Sequence, residues 1–145
     1  MRLLFETACA FAACLAFGIV FHLRGGKLAG AAAGGALGWL AFRLAAYGLH
    51  SDIARYFAAT VVVSIYAECM ARRFRTPASL YLVIALIPLV PGGGIYDTME
   101  TCMLGSPQEA VATGLHTVGI AGALAVGIVL VSSTVQLFHK RAGRR

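Results

Sequence analysis

With 145 residues, 59% of them hydrophobic and 12% charged, and a mean hydropathy of +0.81, the chain is too apolar to be a water-soluble domain built around one core. It reads as an all-α polytopic membrane protein, a single integral membrane domain over 1–145 whose first partner is the lipid bilayer. The net charge of +6 does not indicate nucleic acid, because the basic residues are scattered between apolar runs instead of gathered in a patch with aromatics.

The first apolar run covers about 3–21. Its Ala-rich character also fits a secretory signal peptide, but Glu6 interrupts the start of the run and no soluble stretch follows, so a retained helix is expected. A second span is expected over about 28–47. There Gly30, Gly34 and Gly38 recur every four residues and give one smooth face, which serves packing inside the chain or docking to another subunit. Arg43, near its end, can snorkel to the interface. In the third span, about 53–70, Tyr56, Thr60, Ser64, Glu68 and Arg72 step by four and form one polar stripe that should face protein or water, not lipid. An intramembrane carboxylate such as Glu68 is a functional candidate, although pairing with Arg72 one turn away would also account for it.

After the basic loop Arg72-Arg73-Arg75, the fourth span is expected over about 79–104, broken at 88–94. Two prolines and three glycines in Pro88-Leu89-Val90-Pro91-Gly92-Gly93-Gly94 make an unbroken helix improbable. An ordinary loop is the bland reading, and length argues against it. The stretch 78–90 makes about 20 Å of helix at about 1.5 Å per residue, short of the roughly 30 Å hydrocarbon core. A break at that depth is tolerated only where protein or a wet cavity surrounds it. A fifth span is expected over about 110–138, carrying Thr113, His116 and Thr117 and ending in a basic tail. Five crossings with the N-terminus outside and the C-terminus cytoplasmic put Arg24, Lys27, Arg72, Arg73, Arg75, Lys140, Arg141, Arg144 and Arg145, nine of the twelve basic residues, on the cytoplasmic side. A re-entrant hairpin would instead return residues 97–109, which hold no positive charge, to the basic side.

The expected working site is the break. Amides of Gly92, Gly93 and Gly94, at the start of a half-helix beginning near Ile95, would attract a substrate carboxylate with help from the helix dipole, and Tyr96 would add a hydroxyl. Pro88 and Pro91, which break the helix, complete this expected substrate-binding set. Glu68, Asp97 and Glu100 are candidates for proton coupling, since a carboxyl in a low-dielectric site can alternate between charged and neutral forms. The structural alternatives are a helix-start charge for Asp97, an interfacial anchor for Tyr96 and plain packing for His116. An enzyme is not expected, for no Ser/His, Cys/His or paired-acid constellation converges, and Gly92–Gly94 lacks the Lys-Ser/Thr of a phosphate loop. Cys9, Cys14, Cys69 and Cys102 contain no Cys-x-x-Cys pair and are expected as small buried thiols, with no metal site and no cofactor. A competing hypothesis makes the chain a noncatalytic structural subunit of a larger transporter.

The run Pro88-Leu89-Val90-Pro91-Gly92-Gly93-Gly94-Ile95-Tyr96-Asp97-Thr98-Met99 resembles the signature of the threonine/serine exporter family, specifically its small ThrE-type domain. The likeness extends to the Gly-rich second span, the Ala-Arg-Arg-Phe-Arg-Thr-Pro-Ala turn at 71–78 and the basic end. It implies a subunit of a secondary exporter of small carboxylates in the cell (inner) membrane, working with a larger membrane subunit on threonine/serine or on dicarboxylates. Independently, five helices are few for alternating access by one protomer, so a partner or a homo-oligomer is expected. Pro88, Pro91, Gly92 and Tyr96 match the motif, whereas Glu68, Asp97 and Glu100 rest on the reading of the residues alone.

Overall fold

A computed structural model describes residues 1–142 of the 145. The chain forms α1 (Arg2–Val20), α2 (Gly26–Ala45), α3 (Asp52–Phe74), α4 (Ala78–Leu86) extended by a 3-10 turn (Ile87–Leu89), α5 (Gly92–Leu104) and α6 (Pro107–Ala142), with no strand among the described residues. By length and composition α1, α2, α3 and α6 can each cross a membrane, and the α4–α5 pair, bent by 50°, raises the number of candidate spans from four to five.

Helix ends follow local chemistry. Arg75 terminates α3 in the left-handed region (φ 50), with the Thr76 amide donating back to Ala71 O at 3.0 Å and Pro77 blocking continuation. The helix thus runs past the expected limit at residue 70. The last helix begins at Pro107 instead of residue 110, because Ser106 and Glu109 cap it reciprocally: the Glu109 amide donates to Ser106 Oγ at 3.3 Å and the Ser106 amide to Glu109 Oε2 at 3.4 Å. At 36 residues α6 is about 54 Å long, well beyond the hydrocarbon thickness. The tail residues Arg144 and Arg145 lie outside the described residues.

Packing is organised by α2, which contacts α1, α3 and α4. Its glycine face is consumed inside the chain. A methyl on Gly30 would meet Met70, Phe74 and Tyr81; one on Gly34 would lie 3.0 Å from both Ala85 Cβ and Tyr66 Cε1; one on Gly38 would lie 2.6 Å from Val63 Cγ2. Bare backbone at Gly30 also lets Tyr66 Oη donate to its carbonyl at 2.9 Å. Thr60 and Ser64 of the polar stripe are buried, Tyr56 and Glu68 half-buried and Arg72 exposed, so the stripe turns inward except at its end. Thr60 satisfies itself by donating to Tyr56 O at 2.8 Å and lies against Gly127 of α6. Only Cys14 is a buried thiol, donating to Ile84 O at 3.3 Å; Cys9, Cys69 and Cys102 are exposed, which corrects their expected burial. A thiol is apolar enough to face lipid without a protein cover.

The glycine contacts also fix directions. Along α2, Gly26, Gly30, Gly34 and Gly38 meet α3 in descending order from Phe74 to Val63 and α4 in ascending order from Tyr81 to Leu89, so α2 is antiparallel to α3 and parallel to α4. Gly119 and Gly127 of α6 meet Ile53 and Thr60, so α6 is parallel to α3, while α5 returns antiparallel along α6 through Gly94–Thr117 and Thr98–Gly114. One end of the bundle therefore carries Arg24, Lys27 and Arg72–Arg75. The other carries Glu6, Arg43 and Asp52.

Candidate functional site

The helical path fails at Ile87–Pro91. Pro88 has no amide to offer Ile84, the chain tightens into a 3-10 turn, and Val90 turns extended (ψ 129) before α5 starts in a new direction. This break is shorter than the expected 88–94, and α5 begins at Gly92 instead of near Ile95. The first turn of a helix asks for helical angles but no i−4 partner, so Gly92–Gly94 can occupy it once the Ile95 amide closes the turn onto Pro91 O at 3.1 Å. The Gly92 amide donates to Val90 O at 2.7 Å, which leaves the amides of Gly93 and Gly94 without a backbone acceptor.

The two halves of the break have different surroundings. Leu89 is fully buried and Pro88 sits 3.5 Å from where a methyl on Gly35 would be, near the midpoint of the 20-residue α2. Gly92 and Gly93 are exposed with open space around them, while Gly94 is half-buried against Thr117. Tyr96 is 66% exposed. Indeed α5 has no buried residue and leans chiefly on α6. Tyr96, Met99, Glu100, Met103 and Leu104 line an uncovered groove of about 390 Å³ along it.

The carboxylates do not converge. Asp97 and Glu100 are both exposed on α5, and Asp97 stands beyond the first turn of its helix, which counts against a simple dipole role there. Glu68 lies some fifteen residues along α3 from Ile53, the end near which α5 packs, a separation of about 22 Å along the helix. It forms no ion pair with Arg72. His116 is exposed. Among the described residues no group of His, Cys, Asp and Glu is arranged to hold a metal ion.

Sequence reading passed over the residues that the fold brings to Pro88. A wide-mouthed surface pocket of about 350 Å³ is lined by Phe5, Glu6, Cys9, Ala10, Ala13, Trp39 and Pro88. Glu6 lies 3.2 Å from Arg43 Nε through Oε2 and 3.3 Å from Arg2 Nε through Oε1. Glu6 read as a flaw in the first apolar run and Arg43 as a snorkelling side chain. Only the antiparallel pairing of α1 with α2 joins positions 37 residues apart, although two opposite charges on adjacent apolar helices are a signal that could have suggested it.

Apolar helices packed through glycine faces, one pair sharply bent at two prolines, define a multi-pass helical membrane protein. A family model described as Threonine/Serine exporter, ThrE, matches residues 6–134, and the chain belongs to that family. It is accordingly an exporter-type transporter of the membrane, not a soluble domain. No curated protein and no solved structure matches the chain.

Proposed function

We propose that the chain is the small membrane subunit of a proton-coupled secondary exporter for threonine and serine in the cell membrane, with the α4–α5 break as a discontinuous fourth span beside the substrate path. The observation that carries this reading is the break itself: Pro88 and Leu89 lie at the middle of the bundle, and the amides of Gly93 and Gly94 beyond them are unpaired at a helix start, where a carboxylate is favoured. Tyr96 is the closing contact. Charge supports an N-terminus outside and a cytoplasmic C-terminus. Arg2, Arg43 and Arg55, at one end, are all ion-paired with Glu6 or Asp52, whereas Arg24, Lys27, Arg72, Arg73 and Arg75 at the other make no ion pair among the described residues. Unneutralised positive charge belongs on the cytoplasmic side.

The uncovered α5 favours a partner. A helix that displays Asp97 and Glu100 beside Met99, Met103 and Leu104 needs protein or water next to its carboxylates, and a larger subunit of the same exporter or a second copy would supply it. The same exposed face supports the second reading, a structural subunit that only holds its partner.

Efflux from vesicles holding the chain and its partner tests the assignment. Labelled threonine should leave faster under an imposed proton gradient, and faster than labelled succinate; preference for succinate would make the complex a dicarboxylate exporter, and indifference to the gradient would remove proton coupling. Asp97→Asn, Glu100→Gln and Glu68→Gln are the variants to compare. The one that carries the proton should lose gradient-driven efflux while retaining passive exchange, because only the ionisable step is removed.

A further inference from the structure

The Glu6 pocket carries charge in an unusual state. Glu6 Oε2 is buried and accepts no hydrogen bond: Arg43 Nε is 3.2 Å away, but its N–H is not aligned on the oxygen. Trp39, in the same pocket wall, has an indole N–H buried without an acceptor. A desolvated carboxylate oxygen left without a donor is costly. Neither arginine belongs to the lining. Arg2 is 90% exposed and Arg43 43% exposed, so neither is enclosed with the lining, and the charge facing the groove is Glu6 alone among apolar walls.

We propose that this pocket binds a primary ammonium group, with Glu6 as its anchor and Arg43 as the internal cation that it displaces. An ammonium presents three donors on a compact charge and can align one on Oε2, which the planar guanidinium reaching in from the end of α2 does not. An acceptor elsewhere on the same ligand, a hydroxyl or carboxylate, would satisfy the Trp39 N–H. The pocket reaches Pro88, so an occupant would touch the α4–α5 break. Two sources present this chemistry, a small soluble amine and the headgroup of phosphatidylethanolamine. The assignment goes beyond the export reading and stands or falls separately from it.

Trp39 is the single tryptophan of the chain, so its emission reports the pocket directly. The full chain in phosphatidylcholine nanodiscs, whose quaternary ammonium has no N–H, is titrated with ethanolamine, L-threonine and lactate, and separately prepared with added phosphatidylethanolamine. A saturable shift with ethanolamine and L-threonine but not lactate is the expected result. A shift that only phosphatidylethanolamine produces also supports the ammonium site and assigns it to lipid. Glu6→Gln should weaken binding by at least about tenfold, the loss of a hydrogen bond to a charged group. Arg43→Gln should tighten it several-fold by removing the competitor. A purely structural ion pair predicts the opposite for Arg43, since either substitution would loosen the site alike. Absence of any shift, an equal response to lactate, or weaker binding in Arg43→Gln overturns the proposal. If Glu6→Gln does not fold, the sign of the Arg43→Gln effect decides. Threonine export that continues while Trp39 responds neither to the soluble amines nor to phosphatidylethanolamine would remove this pocket and leave the export reading intact.

Discussion

Gly34→Val is expected to abolish recovery of folded protein. At this position α2 touches two partners simultaneously, and a single methyl would already lie 3.0 Å from Ala85 Cβ on α4 and 3.0 Å from the Tyr66 ring on α3. Neither neighbour is a flexible chain end. Ala85 is a Cβ on a buried helix face, and Tyr66 is held across the interface by its bond to Gly30 O at 2.9 Å. Overpacking of a close-packed interior costs about 1–3 kcal/mol per added group set, and valine brings two more methyls against the same walls. The upper end of that range is a large share of a stability of about 5–15 kcal/mol, and membrane helices held by small-residue contact have little else to replace it. The measurement is the monodisperse fraction after detergent extraction with a thermal-shift curve. A variant that behaves like the parent would mean that α2 does not pack between α3 and α4.

Combined Gly92→Ala and Gly93→Ala is expected to cut export by at least about tenfold while leaving yield and thermal stability unchanged. A methyl at either position meets nothing within 4 Å, neither glycine has a positive φ, and both lie in the first turn of α5. Alanine is at least as good a helix former as glycine, and the first turn makes little demand on propensity, so folding has no reason to suffer. Function does, because the added methyls crowd the approach to the only backbone amides at the break that lack an acceptor. Export at the parental rate would favour the structural-subunit reading and remove the amide site.

Apolar run length pointed to an all-helical chain with four or five candidate spans, and among the described residues Pro88 and Pro91 lie in the stretch where α4 gives way to α5 at a 50° bend. Local chemistry that depends on one or two side chains was harder. The Ser106–Glu109 capping pair was present in the residues, but the start of the last helix was set by hydropathy, which is blind to caps. The glycines of the signature looked like part of the break, and the structure makes them the first turn of α5, since a helix start tolerates what a helix interior does not. The pocket beside Pro88 was illegible for a different reason. Glu6, Trp39 and Pro88 are far apart in sequence and share a wall only through the pairing of α1, α2 and the 3-10 turn, which no local pattern encodes. Burial of Cys14 but not of Cys9, Cys69 or Cys102 likewise depends on which face of each helix meets α2 and α4.

Transport at the proposed site requires α4 and α5 to carry the chain once across the membrane. Cys102, exposed near the end of α5, reports this directly when Cys9 and Cys69 are replaced by alanine and the buried Cys14 is kept. In intact cells a membrane-impermeant maleimide should label Cys102 from outside, whereas a cysteine placed at Thr76, beside the Arg72–Arg75 loop, should react only after the cells are opened. Labelling of Cys102 only in opened cells, on the same side as Thr76→Cys, would make the segment a re-entrant hairpin and contradict the broken span on which the transport site is built.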